Sequence, residues 1–198
     1  MRETDQVIPE GEVPTEIKHV NEFLNTLDLE TFGDNAEKTE DERDELLTTA
    51  RLRDWLVGRR LLPQGATVTE SDRQLAVELR TVLRAAAEVN GRETPANAAN
   101  RAATERFPLV LRLNAAGQPE LSSRTTGDVQ GALGRLVADV ATAAAMGTWA
   151  RLKICGAPDC RWAYYDHSKS RTGRWCAMRT CGNRHKTRRY RSRRRDDD

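Results

Sequence analysis

The sequence predicts a mainly α fold of the α+β type: a helical N-terminal domain with one β-hairpin, then a small C-terminal module of different construction. Three observations carry this. Apolar residues recur at intervals of three and four over most of a 198-residue chain rich in Ala, Leu and Arg, with only 5% aromatics, and that is the helical period. Period-two alternation is confined to RFPLVLRLNAAGQPELSSR, residues 106–124. All four cysteines lie between 155 and 181, with none before.

Taken in order, residues 1–15 are acidic and broken by Pro, and are expected to be a flexible N-terminus. A helix is expected over 16–28, with Ile17, Val20, Phe23, Leu24 and Leu27 on one buried face. Asn25 and Thr26 interrupt that face with polar groups. Together with Arg80 they are candidates for a small-molecule pocket, the alternative being that they satisfy local backbone. The acidic stretch from Glu30 to Glu42 reads as an exposed connection. A helical stripe follows over 42–61, carrying Leu46, Leu47, Ala50, Leu52, Trp55 and Leu56 and continuing to Leu62, and it stops at Pro63-Gln64-Gly65. Thr69 or Ser71 caps the next helix, which turns Leu75, Leu79, Val82 and Leu83 inward and closes at Asn90-Gly91. Thr94-Pro95 opens a short helix running to about Arg106. The alternating stretch then reads as a hairpin turning at Asn114–Gly117, and residues 127–150 return to helix. These elements make up the helical domain, residues 16–150.

Charge divides the chain at the same place. Residues 151–198 hold 15 Lys and Arg against five Asp, a net +10, while residues 1–150 hold 17 against 25, a net −8. An acidic body with a basic end points to a polyanionic partner for the end. No run approaches the ~18–20 apolar residues of a membrane span. The start has neither a basic n-region nor an apolar h-region, so a cytoplasmic location is expected.

The cysteine spacing is Cys155-x4-Cys160-x15-Cys176-x4-Cys181. Two pairs separated by a loop that can fold back form the two jaws of a tetrahedral zinc site. In a reducing compartment thiols serve metal or redox chemistry rather than disulfides. An iron–sulfur cluster also accepts four thiolates, and His167 and His185 are candidate substitutes for a cysteine. After Arg151 the apolar residues are few: Leu152, Ile154, Trp162, Tyr164, Tyr165, Trp175, Met178 and Tyr190. So small a module rarely folds without a metal or crosslink, and removing zinc is expected to unfold this end and spare the body. RWAYYDH after the first jaw and GRW before the second read as strands, and NRHKTRRYRSRRR reads as a helix. Knuckle, hairpin, helix is a treble-clef-like order. On that helix Arg184, Arg188, Arg191 and Arg195 form a basic stripe at i, i+4, i+7 and i+11, suited to phosphate. The bland alternative is a solvated basic tail.

These residues closely resemble the CGNR zinc finger: C-x4-C, an aromatic pair before Asp166, Trp175-Cys176-x4-Cys181, and the tetrapeptide Cys181-Gly182-Asn183-Arg184. The resemblance covers about 151–194 and places the finger at 151–195, with 196–198 an acidic tail. Residues 16–150 are similar, more weakly, to the ABATE domain that precedes this finger in a family of stress-induced bacterial transcription regulators, through Phe23-Leu24-Asn25-Thr26 and the Leu79-Arg80 helix. The resemblance implies one structural Zn2+ on Cys155, Cys160, Cys176 and Cys181 and a DNA-binding finger. The candidate nucleic-acid contacts are then Arg174, Asn183, Arg184, Lys186, Arg188, Arg189, Arg191 and Arg195. A homodimer and a small-molecule effector are further expectations, with an RNA- or protein-interaction module as the alternative. No nucleophile motif accompanies His19, His167 or His185, and four thiolates leave a zinc no open position for water, so no enzymatic activity is expected.

Overall fold

Residues three and four apart lie one above another on a helix, and helix α1 (Thr15–Leu24) uses this to bury Ile17, Val20, Phe23 and Leu24 completely. The structure is a computed structural model that describes residues 12–90 and 104–196; the side chains of Arg189 and of 192–196 fall outside the description. Helix α1 stops at Leu24, short of the expected 28. The Thr26 hydroxyl donates to the Phe23 carbonyl at 2.7 Å, and the chain turns so that Leu27 bridges Asp44.

The connection after Glu30 is exposed for much of its length but is ordered. It contains a helical turn at Gly33–Asn35 and helix α2 (Glu40–Arg43), which opens with a capping box between Thr39 and Glu42. Arg43 reaches back to the carbonyls of Glu30, Asn35 and Lys38. The single helix expected over 42–61 is instead α2, a turn, and α3 (Thr49–Gly58), capped by Thr48. Asp44 breaks it. Its carboxylate takes both terminal nitrogens of Arg80, at 2.6 and 2.8 Å, and the N–H of Leu46 at 2.8 Å, which a helical Asp44 could not do. Leu46, Leu52, Trp55, Leu56 and Leu62 are buried as the stripe predicts, whereas Ala50 is exposed.

Helix α4 (Glu70–Val89) begins in a capping box of Thr69 with Asp72. It buries Ala76, Leu79, Leu83 and Ala87, and with them two arginines, Arg80 and Arg84. The helix expected from Thr94-Pro95 falls largely on residues outside the description. Strands β1 (Leu109–Leu113) and β2 (Pro119–Ser123) form the expected hairpin, in the register Leu109↔Ser123 to Leu113↔Pro119. Asn114 holds its turn by accepting the N–H groups of Ala116 and Gln118, both at 3.0 Å. Helix α5 (Val129–Ala145), capped by Asp128, packs on β2 at Gly134. A Cβ at Gly134 would lie 2.3 Å from the Ser123 hydroxyl, so only glycine permits this approach.

Asp139, on α5, is half-buried and has no hydrogen-bond partner among the described residues. Burial pushes its carboxyl up to about 6, against the opposing pull of Arg135. Raised above its unfolded value, this group destabilises the fold as pH rises from about 4 through 6, and the penalty is complete above that. Asp139→Asn is therefore expected to stabilise the protein at pH 7 by about 1–3 kcal/mol and to gain nothing at pH 4, as read by urea denaturation at both pH values.

The end of the chain is joined to this core rather than appended to it. Strands β3 (Leu152–Ile154) and β4 (Ala163–Tyr165) pair antiparallel, Leu152 with Tyr165 and Ile154 with Ala163. β3 lies against α4 and β4 against α1, and Leu152, Ile154, Ala163 and Tyr165 belong to the same apolar cluster as Ile17, Leu24 and Leu83. The expected return strand at Gly173–Trp175 does not form, and β4 pairs with β3 instead. A backbone bond there runs from the Gly156 N–H to the Arg174 carbonyl at 2.8 Å. Helix α6 (Asn183–Asp196) ends the described chain.

Candidate metal centre and basic surface

The β3–β4 hairpin puts the first cysteine pair at its tip. Cys155 follows β3, and its N–H donates to the Trp162 carbonyl at 2.8 Å. The chain reverses through Gly156–Asp159, and the Cys160 and Arg161 N–H groups both reach the Ala157 carbonyl. A Cβ on Gly156 would stand 3.1 Å from the Arg174 carbonyl, which the second jaw brings close. That jaw is a single π turn, Met178–Gly182, whose Cys181 and Gly182 N–H groups share the Ala177 carbonyl. Cys181 therefore stands just ahead of α6, where the helix dipole favours a thiolate.

The four Sγ atoms lie within 4.8 Å of one another, Cys160 to Cys176 at 3.7 Å and Cys176 to Cys181 at 3.6 Å. Thiolates at about 2.3 Å from a tetrahedral zinc stand about 3.8 Å apart, so the donor set fits. Disulfide sulfurs would be about 2.05 Å apart; all four cysteines are free. Crowding sets the thiols against one another. Hydrogen bonds from its neighbours hold Cys155 far down, while the same contacts drive Cys160 and Cys176 far up. A divalent cation resolves that conflict by stabilising all four as thiolates. Cys155, Cys160 and Cys181 are buried, with Ala157 and Tyr164, in a small cluster under Phe32, Trp162 and Trp175.

Two family models match the chain. One, the CGNR zinc finger, covers residues 151–194, and the other, ABATE, described as "Putative stress-induced transcription regulator", covers residues 20–148. The chain belongs to the ABATE family. A search of curated proteins returns no match. The four cysteines are thus those of a CGNR finger, consistent with one structural Zn2+.

Two acids in the finger, Asp159 and Asp166, stand among 15 basic residues, and each is an anchor. Asp159 sits inside the first knuckle and accepts from Arg184 at 2.9 Å and Arg188 at 2.7 Å, tying α6 to that knuckle. Its carbonyl takes the Thr31 N–H at 3.0 Å, and the Arg184 guanidinium lies 3.0 Å over the Phe32 ring. The acidic stretch of the ABATE domain is therefore docked on the finger. Asp166 is paired with Lys153 at 2.8 Å, both side chains buried.

The sequence-predicted contacts divide accordingly. Arg184 is turned inward; Arg188 is exposed but paired with Asp159. Arg174, Asn183, Lys186 and Arg191 are exposed, and the last two make no ion pair among the described residues. Arg189 and Arg195 lie on α6 with side chains outside the description. Asp159, Phe32 and Thr31 stand outside the set that the sequence predicts. The clue for Asp159 is its rarity, an acid held inside a strongly basic module.

Asn25, Thr26 and Arg80 are brought together, each with a partner in the fold: Asn25 in the finger, Thr26 at Arg80, and Arg80 at Asp44. The Asn25 amide donates to the Ala163 carbonyl at 2.9 Å and accepts its N–H at 2.8 Å. Thr26 accepts from Arg80 at 3.1 Å. Arg84 joins the Leu24 and Arg161 carbonyls; burial first, then Arg161 and Arg80, lowers it to about 10, so it stays charged at neutral pH. Arg161 pairs with Glu88, and Asn90 donates to the Trp149 and Leu152 carbonyls. One face of α4 is thus a polar seam binding the ABATE domain to the finger. Cavities of about 370 Å³, beside Asn90, Lys153 and Arg174, and about 560 Å³, beside Leu61 and Gly127, are lined by other residues.

Proposed function

We propose that this ABATE protein is a cytoplasmic transcription regulator whose zinc-braced finger binds duplex DNA, with the helical domain as the module for self-association or ligand sensing. The observation that carries the reading is the set of exposed cations without ion pairs among the described residues of the finger, including Lys169, Arg171, Lys186 and Arg191, on a scaffold fixed by the metal site and the seam. Among the described residues no helix is long and apolar enough to cross a membrane. The family description supports regulation rather than catalysis, and a closed shell of four thiolates leaves zinc no position for a reacting water.

The alternative, an RNA-binding or protein-interaction module, draws less support. Aromatics that would stack on unpaired bases are committed elsewhere: Tyr164 and Tyr165 are buried and Trp162 is packed on the cysteine cluster. For self-association the outer half of the β1–β2 hairpin offers Leu111 and Leu113, 69% and 71% exposed. Against an effector site at Asn25, Thr26 and Arg80 stands their use within the fold: Asn25 is bonded to Ala163, Thr26 to Arg80, and Arg80 to Asp44.

Competition between duplex DNA and RNA of equal length for the zinc-loaded chain tests the reading. Duplex DNA is expected to win, with log affinity falling linearly against log salt, and the stoichiometry of the same titration reads whether two chains share a duplex. Clear preference for RNA overturns it.

A further inference from the structure

Two groups among the finger's described cations differ in what they meet. Arg151, Lys153, Arg161, Arg184 and Arg188 are spent internally, on the carbonyls of Asp166 and Ser168, on Asp166, on Glu88, and twice on Asp159. The inner side of α6, where the basic stripe begins, therefore faces Asp159 and the docked acidic stretch. Glu30 lies there too, its carboxyl raised by burial against the pull of Asn35 and Arg184. Phosphates approaching that side meet carboxylates.

The second group is on the loop 167–174. Lys169, Arg171 and Arg174 are exposed and make no ion pair among the described residues. The loop is built rather than loose. The Asp166 carboxylate accepts the N–H groups of Ser168 at 3.0 Å and Gly173 at 2.8 Å, the Lys153 ammonium donates to the Arg171 carbonyl, and the Tyr164 hydroxyl donates to the Gly173 carbonyl at 2.8 Å. Arg171 is held at φ 54°, a conformation costly for a side chain of its size and kept only where the surroundings over-determine it. The backbone is fixed from beneath while the cationic side chains stand clear. A continuous stack joins this loop to the helix: Arg174 lies 5.5 Å from the Trp175 ring centre, and Trp175 lies 4.7 Å from His185, next to exposed Lys186.

We propose that the loop cations Lys169, Arg171 and Arg174, with Lys186 across the Trp175 stack, are the surface that meets the phosphates of duplex DNA, and that Arg184 and Arg188 instead lock α6 to the first knuckle. This rests on the duplex-binding reading above. A pre-organised loop binds without the entropy cost of ordering its own backbone, and neither Lys169 nor Arg171 belongs to the stripe that helical spacing singles out.

The test is fluorescence anisotropy of a labelled 24-base-pair duplex with the zinc-loaded full chain across a salt series. The variant Lys169→Gln/Arg171→Asn/Arg174→Gln keeps a residue tolerant of positive φ at 171. It is expected to flatten the log affinity against log salt slope by about 2–3, near 0.9 for each phosphate that the variant no longer neutralises, while Arg188→Gln/Arg191→Gln flattens it by no more than about 1. The reverse pattern overturns the surface and leaves duplex binding standing. Failure of the parent chain to bind duplex overturns both. In the unmutated protein, acylation of Lys169 and Lys186 is expected to slow at least about fivefold on adding duplex, with Lys18 and Lys38 unaffected; equal reactivity of Lys169 with and without duplex overturns the proposal whatever the variants do.

Discussion

Chelating zinc from the full chain is expected to lower its thermal midpoint by about 10–20 °C and to loosen part of the ABATE domain as well as the finger. Zinc binding is worth about 10–16 kcal/mol in isolated finger peptides, because nothing else holds them. Here the β3–β4 hairpin is also anchored through Leu152, Ile154, Ala163 and Tyr165 in the main core, so a smaller share, roughly 5 kcal/mol, is expressed; at about 2–4 °C per kcal/mol for a chain of this size that gives the stated range. What fails first is what the metal alone organises: the two knuckles and α6, whose first turn follows directly on Cys181. The loss then reaches inward, because Asn25 is bonded to Ala163 and Arg84 to the carbonyl of Arg161 beside Cys160. Amide exchange is therefore expected to quicken at residues 155–162, 174–185 and around Leu24–Thr26, and to stay slow in α3, which shares the apolar core but, among the described residues, makes no hydrogen bond to these segments. Elemental analysis should give one zinc per chain, and Cys181→Ser should reproduce the chelated state. An unchanged midpoint after complete zinc removal would refute a structural role for the metal. The sequence alone suggests a finger that unfolds by itself and spares the body; the shared core and the seam are the reasons to expect otherwise.

What can be read in the sequence is local. The two jaws are legible because a C-x4-C pair is a short-range pattern, and α4 is legible because its capping box and its apolar period lie within one stretch. The break before α3 is not, because Asp44 is drawn out of the helix by Arg80, 36 residues away in sequence. Nor is the β3–β4 pairing, since strands of three residues carry no alternation to detect. Helical spacing groups Arg184, Arg188 and Arg191 on one face of α6 but cannot tell that this face meets Asp159 and Phe32. Asn25 and Thr26 stand out in the sequence as polar interruptions of a buried helix face. Their partners, a strand 138 residues further on and a buried arginine, emerge only with the fold.

Replacing Lys153 by Met is expected to destabilise the protein by about 3–5 kcal/mol, since it leaves Asp166 as a buried charge without its counter-ion. The side chains of the pair are only 7% and 4% exposed, so bulk water does not replace the ammonium. Asp166→Asn should cost a similar amount, because the carboxylate also gathers the Ser168 and Gly173 N–H groups and an amide must turn one NH2 toward them. Replacing both partners with apolar residues should cost less than the two single changes added together, which urea denaturation of the four proteins would resolve as a coupling energy. Burial alone would raise the Asp166 carboxyl, but Lys153 and the two backbone donors outweigh it and hold it at about 2. Because the folded value lies below the unfolded one, this contribution is complete above about pH 4 and is lost as pH falls toward 2; the stability difference between the parent and Asp166→Asn should narrow over that window. The pair also supports the loop that we assign to duplex DNA, since the Lys153 ammonium fixes the Arg171 carbonyl. Lys153→Met should therefore weaken duplex binding without changing its salt slope, as every phosphate-facing cation is kept and only the ordering of the loop suffers. A flattened slope would mean that Lys153 itself meets phosphate, which its burial argues against.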